Sequence, residues 1–195
     1  MATYAKNPPP KKVAQDTKKF TCWAAALESW ISAAKPPTPT AAMANTQDEL
    51  IASYKAFEGA KDGLMVGKAL LQIMFDFQMM VDIYHPNGVD GKSKKALTAS
   101  AILQRLMMKG FLWCFYIGGP DLDTFLGHAV VIYGVNKAYS ADAEVQIMDP
   151  WTGTLTTMPV ADLNKTDTVF VCWLENSPTW SDDMFRIMSA MTKAN

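Results

Sequence analysis

The pattern of apolar residues changes its period at Gly110, and this change constrains the fold more than any other feature of the sequence. Before Gly110, apolar residues recur every three or four positions, as they do on the buried side of an amphipathic helix. After it come short runs of β-branched and aromatic residues bounded by Gly, Pro, Asp and Asn, as in strands. Helices followed by strands predict an α+β fold, with an antiparallel sheet packed against the N-terminal helices.

The helical pattern covers four segments before Gly110. The first begins after Thr21, a residue type favoured at N-caps, and ends at the proline-rich stretch 35–40. The other helices are predicted over 47–57, 64–80 and 98–108. The strands are predicted over 111–117, 128–135, 144–148 and 168–173, with a turn at 152–154. A Met-rich apolar stripe near the C-terminus predicts a closing helix or, as the alternative, a helix that binds a partner.

Length and composition fit one domain. The chain has 195 residues, of which 49% are hydrophobic, and this supplies enough apolar material for a sizeable core. We expect residues 1–12 to form a flexible arm and residues 13–195 a single domain. Its helical half would span about 13–109, its β-rich half about 110–175 and its closing helix about 178–193.

Charge, hydropathy and residue counts argue against several classes of protein. A net charge of −1 argues against a nucleic-acid partner, and the longest apolar run, 110–120, is shorter than the roughly 20 residues of a membrane span. The polar N-terminus has no apolar core of a secretory signal. We therefore expect a protein made in the cytoplasm, with export open only to a signal-independent secretion system. Three cysteines and two histidines predict neither a disulfide framework nor a metal site, and we expect no cofactor.

Cys22 is the first candidate for chemistry, because it stands in the first turn of the first predicted helix. Unpaired backbone N–H groups and the helix dipole favour a thiolate at that position. Cys114 and Cys172 lie inside apolar strand patterns, where burial makes a thiol inert. We predict that these two are core residues.

His128 and Asp149 are the candidate partners of Cys22. His128 follows Gly127 at the start of one predicted strand, and Asp149 ends the next. The start of a strand lies beside the end of its antiparallel neighbour, so the two side chains are expected side by side. A thiol nucleophile needs such a base, held by a third group. Gln15 lies close enough along the chain for its amide to help the Cys22 N–H bind an oxyanion.

Together these residues resemble the papain-like cysteine peptidases. The shared features are Cys-Trp opening a helix, an upstream Gln, Gly-His opening a strand, and Asp-Pro-Trp-x-Gly. The chain is most similar to the compact bacterial branch, which includes bacteriocin-leader-processing peptidases and papain-like secreted effectors. The resemblance implies a papain-like fold in which Cys22 is the nucleophile, His128 the general base and Asp149 the orienting residue. It also implies an oxyanion hole formed by Gln15 and the Cys22 amide.

Other residues refine the resemblance. Gly127 would let a substrate backbone approach closely, and Gly127 and Trp151 are the candidate substrate-binding residues. The interval from Cys22 to His128 is shorter than the roughly 130–150 residues of papain and the cathepsins, which indicates a trimmed scaffold. His85, the other histidine, lies in a turn-like setting and is predicted at the surface.

The resemblance implies a hydrolase that cleaves a protein or peptide substrate through a thioester. Only 21 residues precede Cys22, too few for an inhibitory pro-domain, so we expect control by location, specificity or a partner. This favours a bacterial secreted effector or toxin with a cognate inhibitor, or immunity protein. Three alternatives stay open: a peptidoglycan amidase, a deamidase or acyltransferase with the same machinery, and a non-catalytic papain-fold module that binds peptides.

Overall fold

A seven-stranded antiparallel sheet with helices on both faces forms the framework of the protein. A computed structural model describes residues 3–16, 21–36, 45–57, 67–88, 94–118 and 126–175. The helices are α1 (Cys22–Ala34), α2 (Gln47–Ser53), α3 (Gly67–Asp76), α4 (Ala99–Lys109) and α5 (Val160–Leu163), with a 3-10 turn at Lys55–Phe57. The strands are β1 (Tyr4–Ala5), β2 (Met79–Tyr84), β3 (Leu112–Gly118), β4 (Leu126–Asn136), β5 (Glu144–Asp149), β6 (Thr154–Pro159) and β7 (Thr168–Leu174). The prediction of an α+β fold is confirmed.

The strands follow the order β2-β7-β3-β4-β5-β6, and β1 pairs with the far end of β4. Successive side chains of a strand point to opposite faces, so the sheet divides the interior into two cores. Trp113 of β3 packs in the core built with α1, α2 and α3, which we call the α1 face. The next residue, Cys114, packs in the core built with α4 and α5, which we call the α4 face.

Strand β2 was not predicted, and its first two residues fall at the end of a predicted helix. The predicted helix over 64–80 is wrong at its end, because α3 ends at Asp76 and β2 begins at Met79. Between them, Gln78 adopts a left-handed backbone conformation with φ of 51°, which breaks the helix. β2 then pairs with β7 at the edge of the sheet, so the sheet is not confined to the predicted β-rich half.

Helix α1 is deeply buried against the sheet, and every residue from Cys22 to Trp30 is buried. Trp30 anchors it by donating its indole N–H to the Phe111 carbonyl at 3.0 Å. Thr21 occupies the predicted N-cap position, but its side chain makes no capping hydrogen bond. Its carbonyl instead accepts the N–H groups of Ala24 and Ala25. The hydrophobic packing of α1, rather than a side-chain cap, therefore holds its first turn in place.

Within the segment 1–12, which is predicted to be a flexible arm, Tyr4–Ala5 and Lys6 bond to the sheet and Lys11 bonds to α1. Strand β1 pairs with β4, and the Lys6 N–H donates to the Tyr133 carbonyl at 2.8 Å. Further along, the Lys11 carbonyl accepts a hydrogen bond from the Ser29 hydroxyl at 2.6 Å. The Lys11 ammonium pairs with Glu28 at 2.6 Å. The expectation of a free arm is corrected because these backbone groups are satisfied by the folded domain.

The two remaining sequence expectations concern the C-terminus and membranes. The predicted closing helix over 178–193 lies outside the described residues. Among the helices that the structure describes, none has the length and apolar character that a membrane span requires.

Helix α4 follows its prediction closely. The Thr98 side chain caps its start, and Gly110 ends it.

Candidate active site

Three candidate residues converge at the end of the sheet where β4 begins and β5 ends. Cys22 opens α1, His128 lies near the start of β4, and Asp149 ends β5. His128 Nε2 lies 2.8 Å from Asp149 Oδ1. The Cys22 thiol lies 3.8 Å from the carbonyl oxygen of Gly127, and its interaction with the His128 side chain helps to raise the pKa of that histidine. A sulfur, an imidazole and a carboxylate therefore form one continuous series of contacts.

The two ends of the His128–Asp149 pair stabilise each other's charged form. A carboxylate only accepts hydrogen bonds, so Nε2 of His128 is assigned as the donor. Burial lowers the pKa of His128, but hydrogen bonds with Asp149 and Cys22 outweigh this and raise it to about 9. Burial likewise raises the pKa of Asp149, but the hydrogen bonds from His128 and the Trp151 N–H outweigh it and lower this pKa. Near neutral pH the pair is therefore an imidazolium and a carboxylate.

The other two cysteines have a different environment. Cys114 and Cys172 are fully buried within the sheet, one on each face. Burial raises the pKa of Cys114 to about 12 and the pKa of Cys172 well above its usual value. The prediction that both are inert core residues is confirmed in respect of their burial. Cys22 is the thiol that contacts a histidine.

Gly127 has a packing reason for lacking a side chain. A Cβ atom at this position would lie 2.7 Å from Cζ of Phe115. The missing side chain therefore makes room for the Phe115 ring on the neighbouring strand β3, whereas the sequence analysis attributed it to an approaching substrate. The carbonyl oxygen of Gly127 accepts a hydrogen bond from the Cys22 thiol. A substrate contact at Gly127 stays a prediction.

Gln15 is held next to the turn that follows Asp149. Its backbone N–H donates to the Pro150 carbonyl at 2.8 Å, and the residue is buried. The preceding Ala14 packs so closely on this turn that a Cβ at Gly153, where φ is 64°, would lie 2.7 Å from its Cβ. The segment that carries Gln15 is thus fixed to the turn at the end of β5. Its role in an oxyanion hole stays a prediction.

Trp151 lies beside the site and is 59% exposed. Its backbone N–H donates to Asp149 Oδ1 at 2.9 Å, the same oxygen that contacts His128. The indole is thus placed near the candidate site by the turn that also holds the carboxylate. Substrate binding by Trp151 stays a prediction.

One residue beside His128 was not predicted from the sequence. Tyr116 pairs with His128 across β3 and β4, and their ring centroids are 5.6 Å apart at an angle of 79°. The alternation of residues in β3 could have shown on which face of the sheet Tyr116 lies. Its pairing with His128 depends on the register of β3 against β4, which the connection between the strands sets.

His85 differs from its prediction as a surface residue. It is half-buried, and its Nδ1 lies 3.2 Å from the Thr168 hydroxyl. A single backbone bridge also joins His85 to Lys95. It directly follows β2 at the edge of the sheet, and two strands, β7 and β3, lie between β2 and the strand that carries His128.

Comparison with known proteins identifies no family. No protein-family model matches the chain, and no curated protein matches it. Among solved structures, the chain is similar to one from a study of the limited antibody cross-reactivity between the mite allergens Blo t 1 and Der p 1. The TM-score is 0.45 at 12% sequence identity, and the match covers 88% of this chain and 72% of that one. The interpretation of the site therefore depends on its own geometry.

Proposed function

We propose that the protein is a papain-like cysteine hydrolase that cleaves peptide or isopeptide bonds. The observation that carries this proposal is the continuous contact from the Cys22 thiol to His128 and on to Asp149, with 2.8 Å between the last two side chains. A thiol at a helix N-terminus, a base that is protonated at neutral pH and a carboxylate that orients it match the requirements of thiol catalysis.

In the proposed mechanism, the resting site holds the Cys22 thiolate and the His128 imidazolium. The thiolate attacks the substrate carbonyl and forms a tetrahedral oxyanion. His128 gives its proton to the leaving amine, the carbon–nitrogen bond breaks, and a thioester to Cys22 remains. His128 then takes a proton from water, whose oxygen attacks the thioester, and the acid product leaves as the thiolate is restored.

The oxyanion requires donors that are already in place. The backbone N–H of Cys22 belongs to the first turn of α1, where N–H groups have no partner within the helix. The Gln15 amide is the proposed second donor, and the anchoring of its backbone to Pro150 supports a fixed position. Loss of one such donor typically lowers kcat by about 10²- to 10³-fold.

The acceptor and the substrate together decide which of the related activities results. Water as acceptor and a peptide as substrate give a peptidase, and peptidoglycan stem peptides as substrate give an amidase. An amine or alcohol acceptor gives an acyltransferase, and a glutamine side chain as substrate gives deamidation. The peptidase is our main proposal, and delivery as an effector or toxin with a cognate inhibitor is a separate hypothesis.

Two alanine variants test the proposal directly. Cys22→Ala is expected to lose hydrolysis of a panel of unfolded proteins and peptides by at least about 10³-fold, because the nucleophile is gone. Cys114→Ala is the matched control: it removes a thiol of the core, so the specific activity of its folded fraction should equal that of the wild type. Digestion of purified peptidoglycan sacculi in parallel separates the amidase from the peptidase.

A non-catalytic peptide-binding module gives a different result. In that case the wild type would bind peptides without turnover, and iodoacetamide at pH 6 would leave Cys22 unmodified. Turnover that persists in folded Cys22→Ala would contradict the proposal in a different way, since it would place the chemistry elsewhere in the chain.

A further inference from the structure

Three polar or aromatic side chains of the site form a row across neighbouring strands. Tyr116 of β3 is paired with His128 of β4, and His128 is bonded to Asp149 of β5. All three belong to the α4 face, because they alternate in step with residues of that core: Cys114 in β3, Val130 in β4 and Ile147 in β5. The imidazole thus lies between an aromatic ring on one side and a carboxylate on the other.

Tyr116 is itself firmly held. On the side away from His128 it is paired with Val169 of β7, and its ring packs against the core of the α4 face. Burial, with smaller contributions from neighbouring acidic groups that include Asp149 and Cys22, raises its pKa well above the usual value. The ring is therefore neutral at every pH at which the site would work, and it contacts His128 as an uncharged aromatic surface.

Hydrogen bonds at its nitrogens do not by themselves fix the orientation of a histidine ring. Rotation about χ2 of histidine has a broad, roughly two-fold profile, so a ring flip that exchanges its two edges is accessible unless neighbours oppose it. The hydrogen bond to Asp149 constrains one edge of His128. Edge-to-face aromatic contacts have a preferred geometry, and the contact with Tyr116, at 5.6 Å and 79°, lies within it.

We propose that Tyr116 is a positioning residue for His128: its ring holds the imidazole so that Nε2 meets Asp149 while the other edge faces Cys22. The consequence for catalysis rests on the proposed function, whereas the orientation of the ring does not. Cys22, Asp149 and Tyr116 are the titratable groups that contact or surround His128 in the described residues.

The chain offers a clean spectroscopic test, because it contains only two histidines. Protein labelled with ¹⁵N-histidine should give a downfield, slowly exchanging Nε2 proton for His128, and His85 serves as the internal reference. In the wild type, NOESY cross-peaks are expected between the Tyr116 ring protons and the carbon-bound imidazole protons of His128. Absence of these cross-peaks in a folded protein would overturn the proposal without any substitution.

Two substitutions separate positioning from a structural role. Tyr116→Phe keeps the ring and should preserve the His128 Nε2 signal and the rate at which iodoacetamide modifies Cys22. Tyr116→Leu removes the ring, so the signal should broaden and kcat should fall by about tenfold with little change in KM, the upper range expected for an edge-to-face pair. Tyr116→Met, which fills a similar volume with a flexible chain, replaces the Leu variant if that variant does not fold.

The results have distinct meanings. A Tyr116→Leu or Tyr116→Met protein that is folded, with unchanged His85 signals, and retains a sharp His128 Nε2 proton would overturn the positioning role. Loss of the His128 signal in a protein that never hydrolyses a substrate would support the positioning role and contradict the proposed function.

Discussion

His128 Nε2 lies 2.8 Å from Asp149 Oδ1, and this contact joins the beginning of β4 to the end of β5. It draws the pKa values of the two groups apart, raising that of His128 to about 9 and lowering that of Asp149. The same carboxylate oxygen accepts the Trp151 N–H, so a tight turn holds the acid in place.

Asp149→Asn is expected to move the alkaline limb of kcat/KM to lower pH. The amide keeps a hydrogen-bond acceptor but removes the negative charge, so the pKa of His128 falls from about 9 toward its ordinary value of 6.5. The imidazolium is then lost at lower pH. The pH dependence of hydrolysis measures the shift. Asp142→Asn, at a surface acid paired with Lys137, is the matched control and should leave the limb in place. An unmoved limb in Asp149→Asn would contradict the assignment.

His128 should also contribute to stability in a defined pH range. Its pKa is about 9 in the folded protein and 6.5 as an ordinary side chain, so the folded state binds its proton more tightly. The resulting stabilisation is complete below pH 6.5 and is lost as pH rises through 9. The free energy of unfolding of the wild type minus that of His128→Gln, measured by urea titration at pH 6, 8 and 10, should decrease across this series. A difference that grows with pH would contradict the raised pKa.

Alkylation should distinguish the three thiols. Cys22 contacts His128 at the edge of the sheet, while Cys114 and Cys172 are fully buried and burial raises their pKa values. Native protein at pH 6 is therefore expected to take up one iodoacetamide label, at Cys22, and denatured protein at alkaline pH should take up three. Peptide mass mapping locates the label. Modification of Cys114 before Cys22 in native protein would show that the sheet is not packed as described.

Gly127→Ala is expected to destabilise the fold by about 1–3 kcal/mol, because the new Cβ would lie 2.7 Å from Cζ of Phe115. Urea unfolding measures the cost. The double variant Gly127→Ala with Phe115→Leu should be less destabilised than the sum of the two single variants, since the smaller side chain relieves the clash. Additive single costs would mean that Phe115 does not limit the side chain at residue 127.

Local sequence patterns were sufficient where an element is decided by its own residues. Thr98 and Gly110 delimit α4 because a side-chain cap and a glycine with positive φ act within one turn of the chain. The four predicted strands appear as β3, β4, β5 and β7 for the same reason. β2 was missed because its alternation begins only two residues after α3 ends, and one left-handed residue, Gln78, separates two different periods.

The sequence by itself determined the α+β class, the helical start at Cys22 and the neighbouring ends of β4 and β5, since these depend on residue type and on the period of burial. Three contacts were decided only by the tertiary structure. They are the contact of Tyr116 with His128, the hydrogen bond of Gln15 to the turn after Asp149, and the close packing of Phe115 on Gly127. Each of these depends on strand register or on a contact between distant segments. Such contacts form only when the chain folds as a whole, because loop closure and side-chain packing carry no local signal.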